Sequence, residues 1–325
     1  MSKHYGKERG ISNINLEVYS GETFGFLGPN GAGKTTTIRT ILNFIKPSAG
    51  SVEILGLDSI KDSIEIHKNI GYLPGELELF NQMTGKDFLT FMANLRGGVD
   101  WDFVEEMISN LNAQVNKPIG SLSHGNKQKL GLIQAFMHNP DILILDEPTN
   151  GLDPLVQEEF HKMLKSVKDS DKTVFLSSHV MSEVEEICDR VGIIRQGELI
   201  TVEKIEDLKA KKLQSIEVHF ASSVSDNIFE KLPNVSDVEI NGNIVKAKIS
   251  GDNIDLFIKS IANHKVTKII APEPNLEEIF LSYFKGTESK DDENKGTESK
   301  GDENKGTKSK NDENKDTEFK GDENE

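Results

Sequence analysis

Cysteine is almost absent: Cys188 is the one thiol in 325 residues. No intrachain disulfide can form, so a reducing compartment is the natural setting. Long apolar runs are missing too. None approaches the roughly 18–20 residues of a membrane span, and the opening MSKHYGKERG has no signal-peptide core. Basic residues are outnumbered, 38 Lys and Arg against 54 Asp and Glu, for a formal net charge of −16. A nucleic-acid binder normally shows a basic stripe, so this balance argues against one. It also gives no reason to expect docking on anionic lipid. A soluble, cytoplasmic chain is expected, and any membrane work would need another chain to supply the spans.

What is present falls into three stretches, in a chain long enough for two domains and a sizeable core. Residues 1 to about 204 alternate strand-like runs with helical periodicity, which is the signature of α/β architecture. TFGFLG (23–28) and DILILDE (141–147) are continuously apolar, as suits strands buried on both faces of a sheet. Residues 205–284 form a second unit. SIEVHF alternates Ile216, Val218 and Phe220, and VSDVEI and NIVKAKIS flank Asn241-Gly242, which predicts a hairpin with a type I′ turn. Ile254, Phe257, Ile258 and Ile261 share one helical face, and KVTKIIA is a further strand. With a short helix near 225–232, the pattern is β-α-β-β-α-β, ferredoxin-like. A closing helix, NLEEIFLSYF, follows Pro274. Residues 285–325 are four ten-residue repeats, KGTESKDDEN and three variants of it, then Glu325. Apart from Phe319 they hold no large apolar residue, so they offer no face for stacking and a disordered tail is expected.

GPNGAGKTT (28–36) matches the phosphate-loop pattern, with an apolar strand before it and a periodic helix after it. Gly28, Pro29, Asn30, Gly31, Ala32 and Gly33 form a loop whose backbone N–H groups can wrap phosphates. Lys34 brings a positive charge to the β- and γ-phosphates, the Thr35 hydroxyl can ligate Mg²⁺, and Thr36 follows. In ILILDEP (142–148), Asp146 ends a strand at the carboxyl edge of the sheet, where it can hold the Mg²⁺ shell. Alone, Glu147 reads as a surface acid. Beside Lys34 and Asp146 it reads as the carboxylate that positions a water in line with the γ-phosphate. TVFLSSH (173–179) places His179 on the same edge, suited to sensing that phosphate. A second phosphate-binding composition, SLSHGNKQ (121–128), precedes a helix-forming run over Lys127–His138. One nucleotide loop does not by itself explain a second turn.

In this order and spacing, the motifs resemble those of the ATP-binding subunit of an ABC transporter, across residues 1–204. The resemblance implies an α/β P-loop NTPase cassette: a RecA-like core, an antiparallel β subdomain and a helical subdomain at about 75–135. It implies ATP and Mg²⁺, with Thr35 and Asp146 on the metal and Glu147 and His179 in catalysis. Tyr5 stands where the family stacks an aromatic on adenine, and NGLD (150–153) supplies Asp153. Two cassettes pair head to tail in the ATP-bound state, so Ser123 and Gly125 would contact the nucleotide held by a partner's Lys34. The second turn is then half of a shared site. The implied partner is an integral membrane permease, with the chain peripheral on the inner face of the cell membrane. Residues 205–284, PNLEEIFLSYF included, resemble the accessory domain of exporter ATPases linked to drug, antibiotic or sodium export.

Three departures stand out. The usual glutamine after IGYLP (70–74) is Gly75, followed by Glu76, with Gln82 as another candidate substitute. The signature reads Leu122-Ser123-His124-Gly125-Asn126 rather than LSGGQ, and His124 could make dimer closure pH-sensitive. The family's first strand is expected to be missing, because the chain starts almost at Tyr5. TGKDFLTFMANLRG is expected to be a helix with Phe88, Leu89, Phe91 and Met92 partly buried. Cys188 is expected in the core with Val184 and Ile187. Besides the transport ATPase, two readings stay open: a nucleotide-binding regulator that hydrolyses weakly or not at all, and a soluble member of the family acting outside transport.

Overall fold

Three apolar strands, β3 (Thr23–Leu27), β7 (Ile142–Asp146) and β8 (Thr173–Ser178), form the middle of the molecule. The structure, a computed structural model, describes residues 1–6, 8–210, 213–223, 232, 235–250 and 254–271. All belong to one compact unit, Met1–Tyr283. The second unit, Phe284–Glu325, lies outside the described residues. So do the closing segment at 275–284 and, apart from residue 232, the helix expected near 225–232.

The chain opens with a small antiparallel pair, β1 (Lys3–Tyr5) and β2 (Glu8–Ile11). Tyr5 is the last residue of β1, so β1 carries the aromatic itself and is not the strand expected several residues before it. The Met1 amine donates to Ile14 O at 2.6 Å, and Ser2 bridges to Ala49. After β3 come α1 (Lys34–Ile41), a two-strand ribbon of β4 (Glu53–Ile54) and β5 (Leu57–Asp58), α2 (Ser63–Lys68) and β6 (Ile70–Leu73). Helices α3 (Gly85–Leu95), α4 (Trp101–Asn110) and α5 (His124–Phe136) form the expected helical stretch. Thr84 and Asp87 start α3 with a capping box. Phe88 and Leu89 are buried as expected, but Phe91 is exposed and meets exposed Phe80 edge-on. Helix α5 begins at His124, three residues before the expected run, because the Ser123 hydroxyl accepts Asn126 N–H and caps the first turn. After β7 follow α6 (Pro154–Asp169), β8, α7 (Met181–Ile187), β9 (Arg190–Arg195) and β10 (Glu198–Lys204).

The central sheet has the order β10-β9-β3-β8-β7-β6, parallel except for the antiparallel edge strand β10. Strands covered on both faces need apolar residues throughout, and every residue of β3 is buried. Phe24, Phe26 and Phe175 stack through the core with centroids 5.5–5.8 Å apart. On β6, a Cβ at Gly71 would lie 2.0 Å from Ala135 O, so only glycine lets α5 approach this closely. Cys188 is buried beside Val184, as expected, and burial pushes its thiol pKa up. The registers align Leu27, Ser178 and Asp146 with Ser177 at the carboxyl ends. Three loops thus leave the same edge, the place where open parallel sheets bind ligands.

Beyond α8 (Ile205–Ala210), the strands β11 (Leu213–Phe220), β12 (Val235–Asn241), β13 (Ile244–Ser250) and β14 (Val266–Ile270) form a second, antiparallel sheet in the order β12-β13-β11-β14. Helix α9 (Ile254–Ile261) joins β13 to β14. This sheet has its own core, with Ile216, Val218, Phe220, Val245, Ile249, Phe257 and Ile261. Two expectations change here. Ile258 faces solvent while Phe257 and Ile261 are buried. The hairpin register pairs Asn241 with Ile244, so the loop is Gly242-Asn243. Of these two, only Gly242 has a positive φ (65°), which fits a type II′ turn and not type I′.

Candidate active site

The phosphate loop turns on two glycines in left-handed conformations, Gly31 (φ 79°) and Gly33 (φ 108°). Gly28 and Ala32 are buried beneath the loop, while Pro29, Asn30 and Gly31 are exposed on it. Gly33 caps α1 without any side-chain acceptor, so the first amides of the helix point into the loop. Lys34 is 6% exposed and folds back inside, donating to Gly28 O at 2.6 Å and Pro29 O at 3.2 Å. Thr36 is partly buried on α1.

Asp146 ends β7 with no exposed surface. Its carboxylate accepts from Thr35 Oγ1 at 2.7 Å and from Ser177 Oγ. Among the described residues no side-chain cation pairs with it. Glu147 follows with φ 50°, a left-handed conformation costly for a residue with a Cβ. Its backbone N–H donates to Ser177 O and Oγ, and its carbonyl accepts from Gln128 Nε2 at 3.4 Å. These contacts hold the turn. Glu147 Oε1 lies 3.0 Å from Lys34 Nζ, an ion pair without a directed hydrogen bond. Oε2 lies 2.7 Å from His179 Nδ1. Lys34, Thr35, Asp146, Glu147 and His179 therefore form one connected cluster.

The remaining candidates sit apart from it. The Tyr5 ring is 47% exposed and lies against Gly10, which touches Gly197, whose N–H donates to Ala32 O. That places Tyr5 beside the loop. Ser123 and Gly125 are at the start of α5 and touch no phosphate-loop residue. Asn126 Nδ2 donates to Ser123 Oγ at 3.2 Å, and the His124 ring packs on Gly151. Asp153 Oδ1 accepts from Val156 N–H and caps α6. Gly75 abuts the Asp146 carboxylate: a Cβ there would lie 3.2 Å from Asp146 Oδ2. Glu76 and Gln82 are exposed.

Sequence reasoning missed Ser177, which ties Asp146 to Glu147, and Gln128, 1% exposed on an otherwise apolar helix face. Each left a signal, a polar residue inside an apolar pattern.

This fold and cluster define a P-loop nucleotide-binding ATPase. A family model described as "ABC transporter" matches residues 11–150. The bacitracin transport ATP-binding protein BcrA of Bacillus licheniformis is 33% identical over 295 residues, 88% of this chain and 96% of that protein. The linearmycin resistance ATP-binding protein LnrL of Bacillus subtilis is 31% identical, over 87% of this chain and 96% of that one. A solved structure described as the ATP-binding subunit of an ABC transporter superposes with a TM-score of 0.59 at 25% identity, covering 64% of this chain and 89% of that one. The dimeric bacterial cassette MJ0796 gives 0.57 at 25% identity, covering 63% and 96%. The chain belongs to the ABC transporter ATP-binding proteins. It is an ATP-binding, ATP-hydrolysing transport subunit, and no helix among its described residues is long and apolar enough to cross a membrane.

Proposed function

We propose that the chain powers the export of an antibiotic or similar compound through a separate membrane permease, held at the inner face of the cell membrane by that permease. Similarity over 87–88% of this chain to the bacitracin transport and linearmycin resistance ATP-binding proteins supports the cargo class. The observation that carries the catalytic reading is the single cluster joining Lys34 and Thr35 to Asp146, Glu147 and His179.

ATP phosphates lie along the Gly28–Thr36 amides, with Lys34 on the β- and γ-phosphates and Tyr5 against adenine. A fully buried carboxylate answered, among the described residues, by two hydroxyls, with the Thr35 oxygen 2.7 Å away, suits a hard divalent cation. Thr35 and Asp146 would hold Mg²⁺, which would supply positive charge to offset that of the phosphates. Glu147 orients a water in line with the γ-phosphorus and takes its proton late, while His179 donates to a γ-phosphate oxygen. In a homodimer, Ser123 and the Gly125 N–H of one copy, with Asp153 nearby, close over the nucleotide of the other. MJ0796, a bacterial ABC transporter cassette, was solved as a dimer. Residues 1–204 form the cassette and 205–284 an accessory α+β domain, which the separate core of the second sheet supports.

Purified protein should hydrolyse Mg-ATP, alone or with its permease, and Glu147→Gln should bind ATP without turnover. Undiminished hydrolysis by that variant removes Glu147 from the chemistry. Absence of hydrolysis in both settings favours the regulator reading.

A further inference from the structure

We propose that Glu183, on α7, is a positioning residue for hydrolysis, clamping the segment after Glu147 to the segment before His179. It rests on the reading above that His179 serves the γ-phosphate. Glu183 Oε1 accepts from Thr149 Oγ1 at 2.7 Å, and Oε2 accepts from Ser178 Oγ at 2.8 Å. Both hydroxyls are buried, Thr149 at 6% and Ser178 at 1% exposure. Thr149 stands two residues after Glu147, and Ser178 immediately before His179. Since His179 Nδ1 lies 2.7 Å from Glu147 Oε2, the contacts close a ring: Glu147, Thr149, Glu183, Ser178, His179 and back.

Only a carboxylate suits this position. An ionised carboxylate accepts at both oxygens, so both hydroxyls must donate. The Ser178 oxygen is then left to accept Val180 N–H at 2.9 Å, which fixes the turn carrying His179. Glutamine has one acceptor and one donor. It forces one hydroxyl to reverse; a reversed Ser178 Oγ would accept from the amide beside Val180 N–H, and its proton would turn to Val180 O, 3.4 Å away, re-drawing the turn that carries His179. The result is a displaced imidazole, and misplacement of about 1 Å at a reacting group can cost up to about a hundredfold.

The test is steady-state Mg-ATP hydrolysis by the full chain, with Glu183→Gln made alone and in a His179→Ala background. The clamp predicts that Glu183→Gln lowers kcat about tenfold, changes KM for ATP less than about twofold, and adds nothing once His179 is gone, since residues acting as a unit are non-additive. An unchanged kcat, a loss carried by KM, or an equal further loss in the His179→Ala background overturns it. If His179→Ala itself leaves kcat unchanged, the role of His179 fails first, and the clamp falls with it. Should Glu183→Gln not fold, Thr149→Val removes one arm while Ser178 still donates to the carboxylate. It must then show the same kcat loss and the same non-additivity, and a wild-type kcat overturns the proposal.

Discussion

Glu147→Gln should tighten nucleotide binding as well as stop turnover. Lys34 is held at 3.0 Å by Glu147, and both side chains are largely buried, at 6% and 16% exposure. Incoming phosphates compete for the same Lys34 Nζ. At 3 Å and an effective dielectric near 20 the attraction is about 5 kcal/mol. Desolvation offsets most of it, leaving a net contribution of about 1–2 kcal/mol. Neutralising Glu147 removes that competition, so affinity for a non-hydrolysable ATP analogue should rise about 5- to 30-fold. The same change strips the protein of the pair, so its melting temperature should fall by about 3–6 °C. Calorimetric titration and thermal unfolding read the two effects separately. Simple repulsion between Glu147 and phosphate also predicts tighter binding, but it predicts no fall in melting temperature. Unchanged or weaker affinity refutes the competition outright. Tighter binding with an unchanged melting temperature assigns the gain to repulsion alone.

Two further expectations follow from burial and composition. His138 donates from Nε2 to Ile70 O, and burial, helped by Arg96, lowers its pKa to about 4, below the ordinary value near 6.5. Its neutral form therefore stabilises the fold above about pH 6.5, and that contribution fades as pH falls toward 4. Discounted for partial exposure, the loss by pH 5 is about 1 kcal/mol, so His138→Gln should show a smaller fall in melting temperature between pH 7.5 and 5 than the parent. An identical fall in both proteins contradicts this. Truncation after residue 284 removes only the polar repeats and should leave the ATPase rate unchanged; a large loss would mean that they take part in folding or assembly.

Much of the site was legible because its chemistry is carried by local patterns. A phosphate loop needs glycines at fixed positions, and a carboxylate ending an apolar strand announces the sheet edge. The core strands could be read for the same reason, since burial on both faces leaves no polar alternation. What was not legible depends on partners distant in the chain. Glu183 meets Thr149 across 34 residues, and Ser177 meets Asp146 across 31. Exposure on helix faces was misread at Phe91 and Ile258, because periodicity gives a face but not what covers it. The Gly242-Asn243 loop slipped by one residue because Asn241 still pairs with Ile244. The start of α5 was set late because Ser123 was read as a phosphate ligand rather than also as a helix cap.

The shared site is tested most directly by mixing two inactive proteins, Lys34→Ala and Ser123→Ala, and measuring Mg-ATP hydrolysis. Each alone breaks both sites of a symmetric dimer. A one-to-one mixture makes half of its dimers mixed, each with one intact site, so up to about a quarter of the wild-type rate should return. Full activity of Ser123→Ala alone, or no recovery on mixing, would contradict a nucleotide site built from two copies of the chain.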